Sequence, residues 1–169
     1  AQHGHEGADR FKRVVKTLDR ANPKHHAALG YALIQQVWIE SEFNIGNAAS
    51  KLEMTRRGLE LLEPLQTYSG ILRGKMTLGT LAREQGEFAK AKEILTSALD
   101  LARTYGRPQD IPPILAELVI AERELGSFAE ASASMERILE ELRELGDTLS
   151  LSFALTAFGA YLVYNDHLD

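Results

Sequence analysis

A stretch of 29 residues recurs forty positions later in this chain, and that recurrence limits the fold more than any other feature. Leu78–Gly106 set against Leu118–Gly146 gives identities at Leu78/Leu118, Arg83/Arg123, Glu84/Glu124, Gly86/Gly126, Phe88/Phe128, Ala89/Ala129, Ala91/Ala131, Leu99/Leu139, Arg103/Arg143 and Gly106/Gly146. The same interval toward the N-terminus puts Gly46 under Gly86, Leu59 under Leu99 and Leu61 under Leu101. A fixed period of this size means that one supersecondary unit is stacked several times, each unit burying its apolar face on the next.

The unit reads as two helices. Ile71, Leu72, Leu78, Leu81 and Ala82 recur at helical spacing up to Gly86, a residue that ends a helix without steric cost. Phe88, Ala91, Leu95, Ala98, Leu99 and Ala102 form a second apolar stripe that closes at Gly106, and the small Ala91 and Ala98 suit a close helix crossing. Along the whole chain the pattern predicts eight helices, over 6–21, 24–42, 47–66, 69–85, 88–106, 111–125, 128–146 and 149–165. No alternating apolar run bounded by turn residues is present, so the expected class is all-α.

The segment Leu78–Leu99 resembles a tetratricopeptide (TPR) repeat: Leu78-Gly79, then Gly86, Phe88, Ala91, Leu95 and Ala98 follow the family's order. Gly126, Phe128, Ala131, Met135 and Ile138 repeat the match, whereas residues 24–66 fit loosely, with Lys51 where a small Ala is expected. Ala82 stands in place of the usual Tyr, and the unit exceeds the common length of about 34 residues. Units of this length are similar to the helical arrays of ATP-binding bacterial transcriptional regulators of LuxR type. The resemblance implies a right-handed α-solenoid of antiparallel helix pairs, as one domain over residues 1–169, and the unfinished terminal pairs suggest a fragment of a longer protein.

Composition narrows the function. The chain has no cysteine, which excludes disulfides, thiolate zinc sites and thiol nucleophiles. Its net charge of −5 argues against a direct nucleic-acid contact. Residues 1–26 nevertheless carry net +3 and the remainder −8, read as a solvated basic first helix on an acidic body. The nearly unbroken apolar run Phe153–Tyr164 is too short for a bilayer, which needs about 20 residues, and a cytoplasmic location is expected.

Catalytic patterns are weak. Gly70-Ile-Leu-Arg-Gly74-Lys75-Met76 has three residues between its glycines, not the four of a phosphate-binding loop, and lacks Ser/Thr after the lysine. His25 and His26 diverge on a helix and do not share a metal easily, so they read as exposed residues of a first turn. Neither a nucleophile elbow nor a helical His pair occurs. Glu130, Glu136, Glu140, Glu141 and Glu144 crowd one helix with Arg137 and Arg143, a pattern of surface pairing rather than of split carboxylate pKa values. No enzyme activity, metal or cofactor is expected.

What remains is a surface. In TPR arrays the first helix of each pair lines a concave groove, and the resemblance places there Arg73, Met76, Thr80, Arg83 and Glu84, then Ala116, Ile120, Arg123 and Glu124, then Thr156 and Tyr164. Arg83 and Arg123 fall one repeat apart, as anchors for a carboxylate or phosphate, unless Arg83 pairs locally with Glu84 or Glu87. A chaperone-type Lys/Asn clamp is not evident, since Thr77 and Glu117 occupy the positions where one is sought. The expected activity is protein or peptide binding, as the sensor or scaffold part of a bacterial regulator. The alternative is an oligosaccharide- or metabolite-sensing domain. The last helix is apolar nearly all round, so Phe158, Tyr161 and Leu162 are expected to drive self-association into a dimer.

Overall fold

The computed structural model describes residues 2–18, 22–105, 110–126, 128–144, 146 and 148–165, with only the backbone described at 2–5, 8, 11, 128, 130, 131, 141, 149, 150, 153, 157, 160–162, 164 and 165. Among them are eight α-helices and no strand: α1 (Gln2–Thr17), α2 (His26–Glu42), α3 (Ala48–Leu62), α4 (Tyr68–Glu84), α5 (Phe88–Tyr105), α6 (Ile111–Glu124), α7 (Phe128–Glu144) and α8 (Thr148–Asn165).

Every expected helix is present, and the ends shift for local reasons. α1 begins at Gln2 rather than at residue 6, no proline interrupting its first turn. Asn22 and Pro23 start a short 3-10 turn over Pro23–His25, where the Asn22 side chain accepts a hydrogen bond from the Lys24 amide at 3.1 Å, so α2 itself starts at His26. His25 and His26 are half-buried there, a correction to the expectation that they are exposed. α3 stops at Leu62 rather than 66 because Pro64 forces a 3-10 turn ending at Gln66 with φ +49°. Asn47 caps the other end of α3, its side chain accepting from the Ser50 amide at 2.8 Å.

Gly86 shows why the repeat carries a glycine at this phase. Its φ is +75°, its amide donates to the Arg83 carbonyl at 2.9 Å, and the Glu87 amide reaches the Ala82 carbonyl at 2.9 Å. That pair of bonds satisfies the last carbonyls of α4 and needs a left-handed residue between them. Gly126, one period later, has the same φ of +75° and donates to Arg123 at 2.8 Å.

The helices form two compact units, Ala1–Leu81 and Ala82–Asp169. In the first unit α2 packs on α1 and, most extensively, on α3. Leu29, Leu33, Ile34, Val37, Leu59, Leu62 and Leu72 make its core. Glycines set the spacing here. A Cβ on Gly30 would lie 2.7 Å from Leu62 Cγ and 3.0 Å from the Gly58 carbonyl oxygen, and one on Gly58 would lie 2.7 Å from Ile34 Cγ1 and 3.0 Å from the Gly30 oxygen. The backbones of α2 and α3 therefore touch. Gly70 and Gly74, the glycines of the false phosphate loop, sit inside α4 and seat it against Leu62, Leu59, Tyr31 and Ile34. They are packing residues.

In the second unit α5 packs on α6, and α6, α7 and α8 pack on one another. Its core holds Leu95, Ala98, Ile114, Leu115, Leu118, Met135, Ile138 and Leu142, with Ala91 fully buried as its phase predicts. The matching Ala131 side chain lies outside the described residues.

Candidate interaction surface

In the first unit, the register of α2 and α4 places the candidate residues. Tyr31 lies against Gly70, Ile34 against Gly74, and the Tyr31 hydroxyl stands 2.6 Å from Ser69 Oγ. These helices thus run parallel, offset by 39–40 residues, which is the sequence period. Side chains three and four apart share a helix face. Tyr31, Gln35 and Trp38 accordingly form one stripe along α2, and Ser69, Arg73, Met76 and Thr80 form another along α4. Trp38 is 48 % exposed, and the register brings it level with Thr77 and Leu78. Arg73 is exposed, while Met76 and Thr80 are half-buried.

Trp38 and Tyr31 were not among the residues expected from the sequence. α2 is apolar on most sides, so its periodicity hides which face is outermost. The available signal was the aromatic and polar spacing of Tyr31, Gln35 and Trp38 against the buried set Leu29, Leu33, Gln36, Val37 and Glu40.

In the second unit, Arg83 Nε donates to Glu117 Oε2 at 2.8 Å, tying the end of α4 to α6, with both side chains 25 % exposed. The partner is therefore Glu117, not the local Glu84 or Glu87; Glu87 pairs with Lys90 instead, and Glu84 is exposed. Arg123 pairs with Glu124, whose Oε1 accepts from both Nε and Nη2. Ala116, Ile120 and Arg123 make a half-buried stripe along α6. Thr156 on α8 is exposed and turns its hydroxyl back to the Ser152 carbonyl at 2.9 Å. The Tyr164 side chain lies outside the described residues, as do those of Tyr161 and Leu162 proposed for self-association. Phe158 is half-buried, whereas Leu155 and Val163 are 45 % and 60 % exposed.

Charged side chains also enter the cores. Gln36 Nε2 donates to Glu40 Oε1 at 2.9 Å inside the first unit, and Lys12 Nζ approaches the same oxygen at 3.8 Å. Glu40 Oε2 occupies the place that a Cβ on Gly46 would take, at 2.9 Å. Lys51, the misfit to the TPR pattern, is buried beside Thr55, whose hydroxyl bonds to the Lys51 carbonyl at 2.8 Å. In the second unit Lys92 Nζ lies 3.2 Å from the buried Glu122. Each of these carboxylates has a structural partner, as burial of a charge requires, although the second oxygen of Glu122 is buried without a hydrogen bond among the described residues. Among the described residues no cluster of His, Asp and Glu is arranged to hold a metal ion, and no helix is long and apolar enough to cross a membrane.

No family model matches the sequence, and no curated protein matches it. Solved structures do. BtubC (BKLC) from P. vanneervenii superposes with a TM-score of 0.66 at 17 % identity over 99 % of this chain. This chain spans 65 % of that one. A Podosopora anserina protein of nearly identical TPR-like repeats, described as a kinesin light chain, gives 0.62 at 16 % identity over 98 % of this chain and 83 % of its own. A variant of that protein with one residue substituted gives 0.63 at 17 %. The fold is a TPR-like helical-repeat solenoid. At such identities the likeness concerns the fold alone.

Proposed function

We propose that this chain is a non-catalytic module that binds a protein or peptide along the outward faces of its first-of-pair helices. The observation that carries the reading is the half-exposed Trp38, in one stripe with Tyr31 and next to the Arg73–Met76–Thr80 stripe of α4. Trp, Tyr and Arg are enriched among the residues that dominate the binding energy of protein interfaces, and Trp38, half in water on a well-packed helix, would serve as such an anchor. Arg83 contributes charge at the α4 end of the second unit. Only its Nε is engaged by Glu117, so its two Nη groups have no partner among the described residues. Ile120 and Ala116 add apolar contact on α6.

The narrower assignment, a sensor or scaffold segment of a bacterial transcriptional regulator acting in the cytoplasm, belongs to the same proposal. It rests on the length of the repeat. Taking residues 1–169 as one repeat domain likewise rests on the recurrence through the chain.

Selection of random displayed peptides on the whole chain tests the interaction reading. Selected peptides should bind wild type and lose at least tenfold in affinity to Trp38→Ala and to Arg73→Ala, with circular-dichroism melts unchanged. Peptides that bind these variants as well as wild type would remove the α2/α4 stripe from the reading.

A further inference from the structure

The basic opening of the sequence, read above as a solvated helix face, borders a cavity. A cavity of 340 Å³ lies between α1 and α3 with α2 as its floor. Its apolar lining comes from one residue of each helix: Val15, Leu33 and Met54. Lys12 and Lys16 from α1 and Arg57 from α3 stand around it, against the single acid Glu53. Lys12 is drawn toward Asp9 and Glu40, each at 3.8 Å, which leaves Lys16 and Arg57 without an ion pair among the described residues. In a chain of net charge −5 this is a local reversal of sign around an apolar floor.

The cleft is distinct from the Trp38 face. At 100° per residue, Leu33 and Trp38 point about 140° apart around α2. Gln36, the polar floor residue, spends an amide N–H on Glu40, 2.9 Å away, inside the unit.

We infer that this cleft is a second binding site, and that its occupant is an acidic peptide segment carrying one large apolar side chain. Size and charge select that occupant. Ligand pockets run from about 300 to 1,000 Å³, so this cavity is at the small end and suits one or two side chains. An apolar side chain seated on Val15, Leu33 and Met54 puts flanking carboxylates within reach of Lys16 and Arg57. Arg57 has the planar fork that grips a carboxylate bidentately, and Lys16 supplies a mobile point charge. Opposite charge across the rim also speeds encounter and makes it salt-sensitive.

Fluorescence anisotropy on the whole chain tests this with three labelled 12-residue peptides: one of Asp and Glu around a central Leu-Leu, one with Ser replacing both leucines, and one with Lys replacing the acids. The first should bind, weaken at least tenfold in Lys16→Glu/Arg57→Glu, and weaken with added salt. The Ser peptide should bind at least tenfold more weakly, and the Lys peptide should not bind. Trp38→Ala should leave the binding unchanged, which separates this site from the one proposed above. Where the reversal alters the circular-dichroism melt, Lys16→Gln/Arg57→Gln replaces it, again with at least tenfold loss expected. The inference is overturned by no binding at millimolar protein, by equal binding of the Leu and Ser peptides, by binding that ignores both double variants, or by loss in Trp38→Ala. Displacement of the peptide by equimolar dodecanoate overturns it as well, because the site then belongs to a small amphiphile.

Discussion

Substituting Gly58 by Ala tests the close crossing of α2 and α3, and the same change at Gly159 serves as its control. Both glycines lie within helices, where Ala is favoured over Gly by about 1 kcal/mol through backbone entropy. A Cβ on Gly159 meets nothing within 4 Å, so Gly159→Ala is expected to gain that amount, roughly 0.5–1 kcal/mol. A Cβ on Gly58 meets Ile34 Cγ1 at 2.7 Å and the Gly30 carbonyl oxygen at 3.0 Å. Ile34 is buried to 1 % exposure, so its side chain has no free direction, and the Gly30 oxygen moves only if the α2 axis moves. Overpacking of this kind costs about 1–3 kcal/mol. Set against the helix preference, Gly58→Ala should lose about 1 kcal/mol net, and the two variants should differ by about 2 kcal/mol. Urea unfolding of both variants followed by circular dichroism reads the difference from the midpoints at constant slope. A Gly58→Ala protein as stable as Gly159→Ala would mean that α2 and α3 are not in backbone contact.

Ala91→Leu should cost about 1–3 kcal/mol in the same assay, since Ala91 has no exposed surface and marks the crossing that the repeat preserves; a wild-type midpoint would undo the repeat alignment. Lys92→Met should destabilise by about 1–3 kcal/mol by stranding the buried Glu122 carboxylate, and Lys92→Met with Glu122→Leu should recover most of the loss; equal loss in both proteins would show that the carboxylate is not the cause. A double-mutant cycle on Arg83 and Glu117 should give a coupling below about 1 kcal/mol that shrinks in high salt, as a partly exposed pair allows. Self-association through α8, expected from Phe158, Tyr161 and Leu162, predicts sedimentation that depends on concentration in the micromolar range and, through the exposed Val163 of the same helix, a weaker dependence in Val163→Glu; a monomer at all concentrations would remove it.

The repeat and the helices are legible in the sequence because they depend on local chemistry. The glycine after α4 and again after α6 and the apolar phases around Ala91 and Leu95 each act within one or two turns of chain, and the forty-residue interval is their recurrence, so reading them requires no knowledge of what packs where. The helix ends are less legible where a capping residue competes with the apolar pattern, as at Asn22-Pro23 and at Pro64. The helices that carry the candidate residues are legible too, and Arg73, Met76 and Ile120 fall on their incompletely buried faces.

Tertiary structure decided the rest, and always through pairings between residues far apart in the chain. Arg83 has carboxylates one and four residues away, yet it takes Glu117, because α6 presents that carboxylate to the end of α4. Gly70 and Gly74 resemble a phosphate loop in one dimension and are helix-packing residues in three. Trp38 lies on a helix that is apolar on most sides, so the spacing of Tyr31, Gln35 and Trp38 is a weak clue, and the packing of α2 on its neighbours decides that Trp38 looks outward. Lys16 and Arg57, 41 residues apart, meet around one cavity only once α1 and α3 are laid over α2. Composition and periodicity determine which residues seek burial; which partner each one finds depends on the crossing of whole helices, and a single chain pattern does not contain it.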